Sequence, residues 1–491
     1  MAVSDMTATL DPRFLDAIAT VPTSAWMAWF HDVAPVALPP VAVPPTLITT
    51  FAIPAGNGLA AICLLETAAT NAGAGNRAAE LHQVPLRQWT GSAPVGARVL
   101  HQKLAADDTP LWTLAAAWAD PDLRDWLREA LTAGASLRSD GWEWLAAPER
   151  ASAARGSAGN SRQVEGRRHD VILFEPGAVA VVYRRMTRGG QPELDLLRHL
   201  ERVPAVRVAP TMLGSAIVRS PAGIRSASAV LEDIVPNADT ARTVIVGRLH
   251  RALDGDPSLQ AVALDDVRAV GVITRELHAA LGRPFEQGVL AGAVPATAGD
   301  VDAWVARSWA ALNTAATALS ASPNPGATLS VALDALPAKL QQFAAAAEGS
   351  PGLIHRIHGN LGLDTVLMSP PRALSIVEFD GDALLPDAER VAPQSPWRDV
   401  ARMLVSLAEA AAQAAGLAGG DDKAFEIAWL WEREARKACL EGYGTGGGAL
   451  HALLAIFEME FAARHLLDAL AAGTTTAVAA HTLERLTRTI V

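Results

Sequence analysis

The residues best suited to chemistry crowd into one stretch, Leu353 to Ser406. A short apolar run leads into Ile357-His358-Gly359-Asn360, and Asp364 follows just before Val366-Leu367-Met368. The chain turns at Ser369-Pro370-Pro371, returns along Ala373 to Val377 and closes on Glu378-Phe379-Asp380-Gly381-Asp382. Successive side chains of a strand alternate, so carboxylates two residues apart at a strand end share a face. A hairpin brings such a cluster near Asn360 and Asp364, and an oxygen-only ligand set suits Mg²⁺. By itself an Asp-rich turn is equally the signature of a solvated loop. Beyond it, Ser395-Pro396-Trp397-Arg398-Asp399-Val400 reads as a helix start, with Ser395 as N-cap and Pro396 at the first helical position. Val400, Met403, Leu404 and Leu407 then repeat on one apolar face.

The elements around this stretch fall into segments. The apolar runs Leu47 to Pro54 and Leu59 to Leu65 flank Asn57-Gly58, the strongest short hairpin signal, because both residues tolerate positive φ. Thr109 to Trp118 and the surroundings of Trp126, Trp142 and Trp144 read as helical, with the tryptophans in the core. Residues 151–163 are mostly Ala, Ser, Gly and Arg without periodicity, as in a linker. A β-hairpin (Val171 to Phe174, Ala178 to Tyr183), an amphipathic helix (Pro192 to Val203) and two strands (Thr211 to Val218, Ala227 to Ile234) follow. From about Ala241 the pattern is mainly helical apart from Leu353 to Glu378. The Gly-rich run Gly444 to Gly448 lacks the ending of a phosphate loop and reads as a linker, and Gly73 to Asn76 is equally weak.

With 491 residues there is length for about three domains and ample buried core. The two cysteines, Cys63 and Cys439, have no metal-ligand spacing and imply neither a disulfide scaffold nor a zinc site. A net charge of −11 gives no global cationic field for nucleic acid or an anionic membrane. The opening lacks a signal pattern and no long uncharged apolar stretch appears, so the expectation is a cytoplasmic protein with no membrane and no nucleic-acid partner. Lysine occurs only at Lys103, Lys339, Lys423 and Lys437, which leaves none between the first two.

His358-Gly359-Asn360, Glu378-Phe379-Asp380-Gly381-Asp382 and Ser395-Pro396-Trp397-Arg398-Asp399-Val400-Ala401 together resemble the signature region of bacterial maltokinases, which have the aminoglycoside phosphotransferase-like kinase fold. In that family the pieces read His-Gly-Asp, Asp-Phe-Glu-Gly-Glu and Ser-Pro-Leu-Arg-Asp-Val-Ala. Weaker echoes at Tyr183-Arg184-Arg185, Pro192 to Asp195, Val235-Pro236-Asn237, Gly271, Glu276-Leu277-His278, Leu440 to Tyr443 and Phe457 to Glu460 extend it from about residue 165 to 465. The resemblance implies an α+β, bilobal, protein-kinase-like fold: an N-terminal cap domain (1–150), a linker (151–163), a small β-rich lobe (164–240) and a helical lobe (241–491). It implies ATP and Mg²⁺ as cofactors, a maltose-type sugar as substrate, maltose 1-phosphate as product, and a glucan-pathway enzyme such as trehalose synthase as a partner.

Carried over residue by residue, the resemblance puts Asn360 at the family's catalytic base, beside His358, with Asp364 as the nearest substitute carboxylate. Metal ligation falls to Glu378, Asp380 and Thr365, the last in place of a Gln. Val181 stands where the family has its nucleotide lysine, Asp195 where a helix glutamate pairs with that lysine, and Arg184 is a neighbouring cation. Arg398, Asp399 and Glu458 fall to the substrate side, while Phe461 replaces a lysine and His465 a glutamate. Gly166-Arg167-Arg168-His169-Asp170 stands in place of a small polar phosphate loop. A carboxamide is no general base, and phosphoryl transfer depends on positioning and charge neutralisation. The sequence therefore predicts a catalytically impaired pseudokinase, acting as a ligand-binding or regulatory protein in α-glucan or trehalose metabolism. The alternatives are an active sugar kinase using displaced residues, and an unrelated α+β protein.

Overall fold

Asn57 (φ 49°) and Gly58 (φ 78°) both take the left-handed backbone that the first hairpin demands. We describe the protein from a computed structural model, which covers residues 9–33, 45–67, 79–149, 160–164, 169–175, 177–189, 192–203, 207–284, 292–322, 326–349, 351–382, 385–444 and 449–489. The expected loops at 166–168, 73–76 and 445–448, and most of the expected linker, lie outside the described residues. Ser161 to Gln163, the end of that linker, instead open a strand.

The chain divides into two units: Met1–Leu194, Thr211–Ile234 and Ala383–Glu389 in the first, Asp195–Pro210, Val235–Asp382 and Arg390–Val491 in the second. In chain order the first begins with α1 (Pro12–Ala19), α2 (Thr23–Val33), β1 (Thr46–Ala52), β2 (Ala60–Thr67), β3 (Glu80–Thr90), β4 (Val99–Leu104) and β5 (Pro110–Ala116). Then come α3 (Pro121–Ala133), β6 (Ala135–Ser139), β7 (Trp142–Pro148), β8 (Ser161–Val164), β9 (His169–Phe174), β10 (Ala178–Tyr183), β11 (Arg185–Met186), β12 (Met212–Arg219) and β13 (Arg225–Asp233), while α4 (Pro192–Arg202) belongs to this unit only up to Leu194 and to the second from Asp195. One sheet runs β1-β2-β3-β5-β4, with β11 also on β3, and the other runs β6-β7-β12-β13-β10-β9-β8. Phe14, Trp26, Trp29 and Phe30 of the first two helices pack on Leu65, Val84, Leu86 and Leu114 of the first sheet.

Three expectations are corrected here. Thr109 to Trp118 is mostly strand β5, because it pairs with both β3 and β4, and sheet context overrides helical propensity. Trp142 and Trp144 lie in β7, which Asp140 (φ 51°) and Gly141 (φ 78°) join to β6 in a two-residue Asp-Gly hairpin. The expected boundary at 151–163 also does not separate the sheets, since β7 pairs with β12 from Pro148↔Gly214 to Glu143↔Arg219. Gly214 sits under α3, where an added Cβ would meet the Leu131 carbonyl oxygen at 2.1 Å.

The second unit holds β14 (Asp239–Thr240), α5 (Ala241–Leu253), α6 (Ser258–Leu281), β15 (Val294–Pro295), α7 (Ala298–Ser320), α8 (Ala327–Glu348), β16 (Leu353–Ile354), β17 (Val366–Ser369) and β18 (Ala373–Ile376). It ends with α10 (Trp397–Leu417), α11 (Asp422–Tyr443), α12 (Ala449–Ala472) and α13 (Ala477–Arg488), and the short α9 (Asp387–Arg390) before them contributes only Arg390 to this unit. The expected hairpin is present as β17 and β18, paired from Val366↔Ile376 to Ser369↔Ala373. Helix α10 begins at Trp397, one residue later than the sequence suggests, with the Trp397 N–H donating to Ser395 Oγ at 3.4 Å. It is long and apolar enough to cross a membrane, and 67% of its apolar window is buried inside the unit, as in a core helix. Helices α6 and α11 touch backbone to backbone. A Cβ on Gly271 would lie 2.1 Å from the Cys439 carbonyl oxygen, and one on Gly442 would lie 2.1 Å from that of Arg268. No larger residue fits either notch.

Candidate functional site

Asp399, in the first turn of α10, organises the loop that carries His358 and Asn360. Its Oδ2 accepts the His358 N–H at 2.8 Å and its Oδ1 the Gly359 N–H at 2.8 Å. Nε2 of His278, on α6, lies 3.2 Å from Oδ2, and the other ring nitrogen lies 2.8 Å from the Tyr443 hydroxyl at the end of α11. Burial by itself raises the Asp399 carboxyl pKa, but the His278 contact and the Gly359 N–H outweigh it and leave it lowered. Asp399 was assigned to the substrate side; it is wholly buried and spent on the loop.

His358 is equally fixed. The Asn360 N–H donates to Nδ1 at 3.3 Å, which leaves Nε2 to donate to the Val377 carbonyl at 2.9 Å. Burial lowers its pKa, and a ring whose Nδ1 accepts a hydrogen bond is the neutral form. Gly359 (φ 84°) presses against the acidic turn, where a Cβ would lie 3.1 Å from Gly381 Cα. The half-buried Asn360 thus sits in a rigid loop where a carboxamide can orient a ligand by hydrogen bonds but accept no proton.

The acidic turn differs from the expected three-carboxylate face. Glu378 takes a left-handed backbone (φ 64°), a conformation costing roughly 1–2 kcal/mol. The twist breaks the alternation: Glu378 is exposed, whereas Asp380 and Asp382 are buried. Arg390 hydrogen-bonds the Asp380 carbonyl and brings Nη2 to 3.6 Å from Oδ2. Asp382 takes Arg464 at 2.6 Å and Arg398 at 3.3 Å, and both arginines also pair with Glu460. Arg398, assigned to substrate, is only 1% exposed, and Glu460 and Asp382 outweigh its burial and raise its pKa. The Thr365 hydroxyl closes its own turn, donating to the Gly362 carbonyl and accepting the Gly362 N–H, each at 3.1 Å. The assigned set of Glu378, Asp380 and Thr365 is therefore divided between an exposed carboxylate, a carboxylate buried beside Arg390 and a hydroxyl that closes its own turn, and among the described residues no group of three or more Asp, Glu, His or Cys side chains is arranged for a metal.

Asp364 is 55% exposed and bound to Arg242 at 2.7 Å, which also holds Glu409 and Ser406. Glu458 points to the opposite side of α12 from Glu460, pairing with Arg436 at 2.6 Å and Arg485 at 3.0 Å. Residues two apart on a helix face apart, so Glu460 and not Glu458 joins the acidic turn. Asp195, on α4, supplies the negative charge that supports the buried guanidinium of Arg356, whose pKa burial lowers. In the first unit Val181 sits in mid-sheet between Val171 and Val230. Arg184 is taken by Asp170 at 2.8 Å and Arg185 by Glu80 at 3.4 Å. His278, Arg390, Glu460 and Arg464 are not among the expected site residues, although His278 and Glu460 lie within the weaker echoes of the family pattern and Glu460 and Arg464 form an i,i+4 pair.

His355, one residue before Arg356, stacks edge-on with His278 at 5.8 Å and is held neutral, its pKa lowered to about 4 by burial and then by His278. A depressed histidine favours folding above the unfolded value and loses that contribution as pH falls through the folded one. Stability is expected to drop by about 3 kcal/mol between roughly pH 6.5 and 4 on this account. Denaturant unfolding of the wild type and His355→Phe across that window checks it, and equal slopes in both would refute it.

No protein-family model matches the chain. Over 187 residues it is 33% identical to glucosamine kinase of Mycolicibacterium smegmatis, a match covering 37% of this chain and 42% of that protein, so the alignment spans about two fifths of its length. Among solved structures, glucosamine kinase in complex with glucosamine, ADP and inorganic phosphate superposes with a TM-score of 0.61 at 20% identity, over 95% of this chain and 98% of the other. A second crystal form of glucosamine kinase gives the same score over 94% and 97%. The expected kinase-like α+β fold is thus present, and at that level of identity the likeness concerns the fold: the chain folds as glucosamine kinase does.

Proposed function

We propose that this sugar-kinase-like protein binds a hexose-type sugar and does not transfer phosphate to it at a kinase rate. The observation that supports this most is the pairing of Asn360, at the base position, with an Asp364 already committed to Arg242. Losing a general base costs about 10²- to 10⁴-fold in rate, and a carboxylate locked in an ion pair is poorly placed to replace it. Glucosamine is the first sugar to try, from the relatives, and maltose the second, from the sequence motifs. A role in α-glucan or trehalose metabolism beside an enzyme such as trehalose synthase belongs to the same proposal.

The test is ADP release with Mg-ATP and glucosamine, glucose or maltose, run beside thermal shifts with each sugar and nucleotide. Sugar-dependent stabilisation without turnover is the expected outcome, and sustained turnover with any of the three sinks the proposal. The exposed Glu378 and the 33% identity to a glucosamine kinase favour the second reading, an active kinase with displaced groups. That reading requires Asp364→Ala or Glu378→Ala to abolish turnover.

A further inference from the structure

The acidic turn carries its own counter-cations. Arg390 and Asp380 have side chains only 5% and 6% exposed, and the arginine lies along Gly381, where a Cβ would come 3.8 Å from Arg390 Cβ and 3.9 Å from Nε. The guanidinium therefore reaches Asp380 from the inside of the turn, across a residue with no side chain. Asp380, Asp382 and Glu460 face Arg390, Arg398 and Arg464. Arg307 adds a further positive charge that acts on Glu460. The three buried carboxylates are matched by three guanidinium groups, with a fourth nearby, so Asp380, Asp382 and Glu460 carry no uncompensated charge to attract a dication, while Glu378, the remaining carboxylate of the turn, faces solvent. A buried carboxylate also keeps its charge only beside such a partner.

We propose that Arg390 is the resident cation of this turn: its guanidinium neutralises Asp380 in place of a divalent metal, and the resting protein takes no divalent ion there. Removing that charge leaves Asp380 buried beside Asp382 and opens the turn to a small dication with a preference for oxygen ligands. The inference rests on the reading of this region as a sugar-kinase-like site that does not transfer phosphate, and the two fail separately. ADP release with Mg-ATP sinks that reading, whereas metal bound at Asp380 in the absence of nucleotide sinks this one.

The experiment uses the full chain and Mn²⁺ as probe, without nucleotide, followed by electron paramagnetic resonance. Wild type is expected to leave Mn²⁺ as the free aquo ion. Arg390→Met is expected to raise Mn²⁺ affinity by about tenfold or more, a 1.4 kcal/mol change, and the double variant Arg390→Met/Asp380→Asn to lose the gain. Arg390→Gln, which keeps a donor for the Asp380 carbonyl but no charge, serves if the methionine variant does not fold. Wild-type binding that disappears in Asp380→Asn overturns the proposal. So does a folded Arg390 variant, checked by circular dichroism, that binds no more Mn²⁺ than wild type.

Discussion

Asn360→Asp combined with Val181→Lys is expected to raise sugar-dependent ADP release from background by at least about 10²-fold. A positioned general base contributes about 10²- to 10⁴-fold, and each charge-assisted contact to a phosphate adds about 1.5 to 3 kcal/mol. The loop is already built to receive the aspartate: His358 and Gly359 are anchored to Asp399, and the Asn360 N–H is held by His358. Only the side-chain atom changes from nitrogen to oxygen, so little rearrangement opposes the gain. Coupled-enzyme measurement of ADP with glucosamine and maltose reads the result. No gain in a folded double variant would mean that the impairment lies elsewhere, with the acidic turn the next suspect.

Asp399→Asn is expected to destabilise the second unit by about 3 to 5 kcal/mol, the usual range for breaking a buried charge-paired site by removing one partner. The carboxylate accepts two backbone N–H groups and faces a histidine nitrogen. A carboxamide has one acceptor oxygen and turns an NH₂ toward groups that themselves donate. The loop bearing Asn360 would lose its fixed shape along with the stability. The lowered pKa of Asp399 adds a signature: its contribution is present above the unfolded carboxylate value and lost as pH falls through the folded one. Thermal unfolding of wild type and variant at neutral pH and near pH 3 checks both. A melting temperature unchanged at neutral pH refutes the anchoring role.

The sequence made legible what local patterns encode. Asn57-Gly58 announced its hairpin, and the returns through Ser369-Pro370-Pro371 and into α10 lay within a residue of their observed places. Patterns confined to a few residues survive because their turn chemistry is local. The β5 segment failed for the opposite reason, its strand state being imposed by β3 and β4 from outside. Asp140-Gly141 carried the same hairpin signal as Asn57-Gly58, but the nearby tryptophans suggested helix.

The candidate site divides along the same line. His358, Asn360 and the acidic turn were found because they are contiguous. The direction each carboxylate faces was not, because one left-handed residue, Glu378, reverses the alternation on which the expectation rested. Arg390, Arg464 and His278 meet the turn or Asp399 across 10 to 121 residues of sequence. Such pairings carry no periodicity to read. Asp399 itself was assigned to the sugar by its place in a motif, and only its three partners reveal it as the loop's support.

The notches at Gly271 and Gly442 set a limit on how this chain can vary. His278 lies seven residues beyond Gly271 on α6, about 10 Å along the axis at 1.5 Å per residue, and Tyr443 follows Gly442 directly. Because the two backbones interlock at both glycines, neither helix can slide or roll independently. A single inserted or deleted residue between Gly271 and His278 would rotate the histidine by about 100° around the helix and carry it off Asp399. Length changes in that part of α6 are therefore as disruptive to the Asn360 loop as changes within the loop itself.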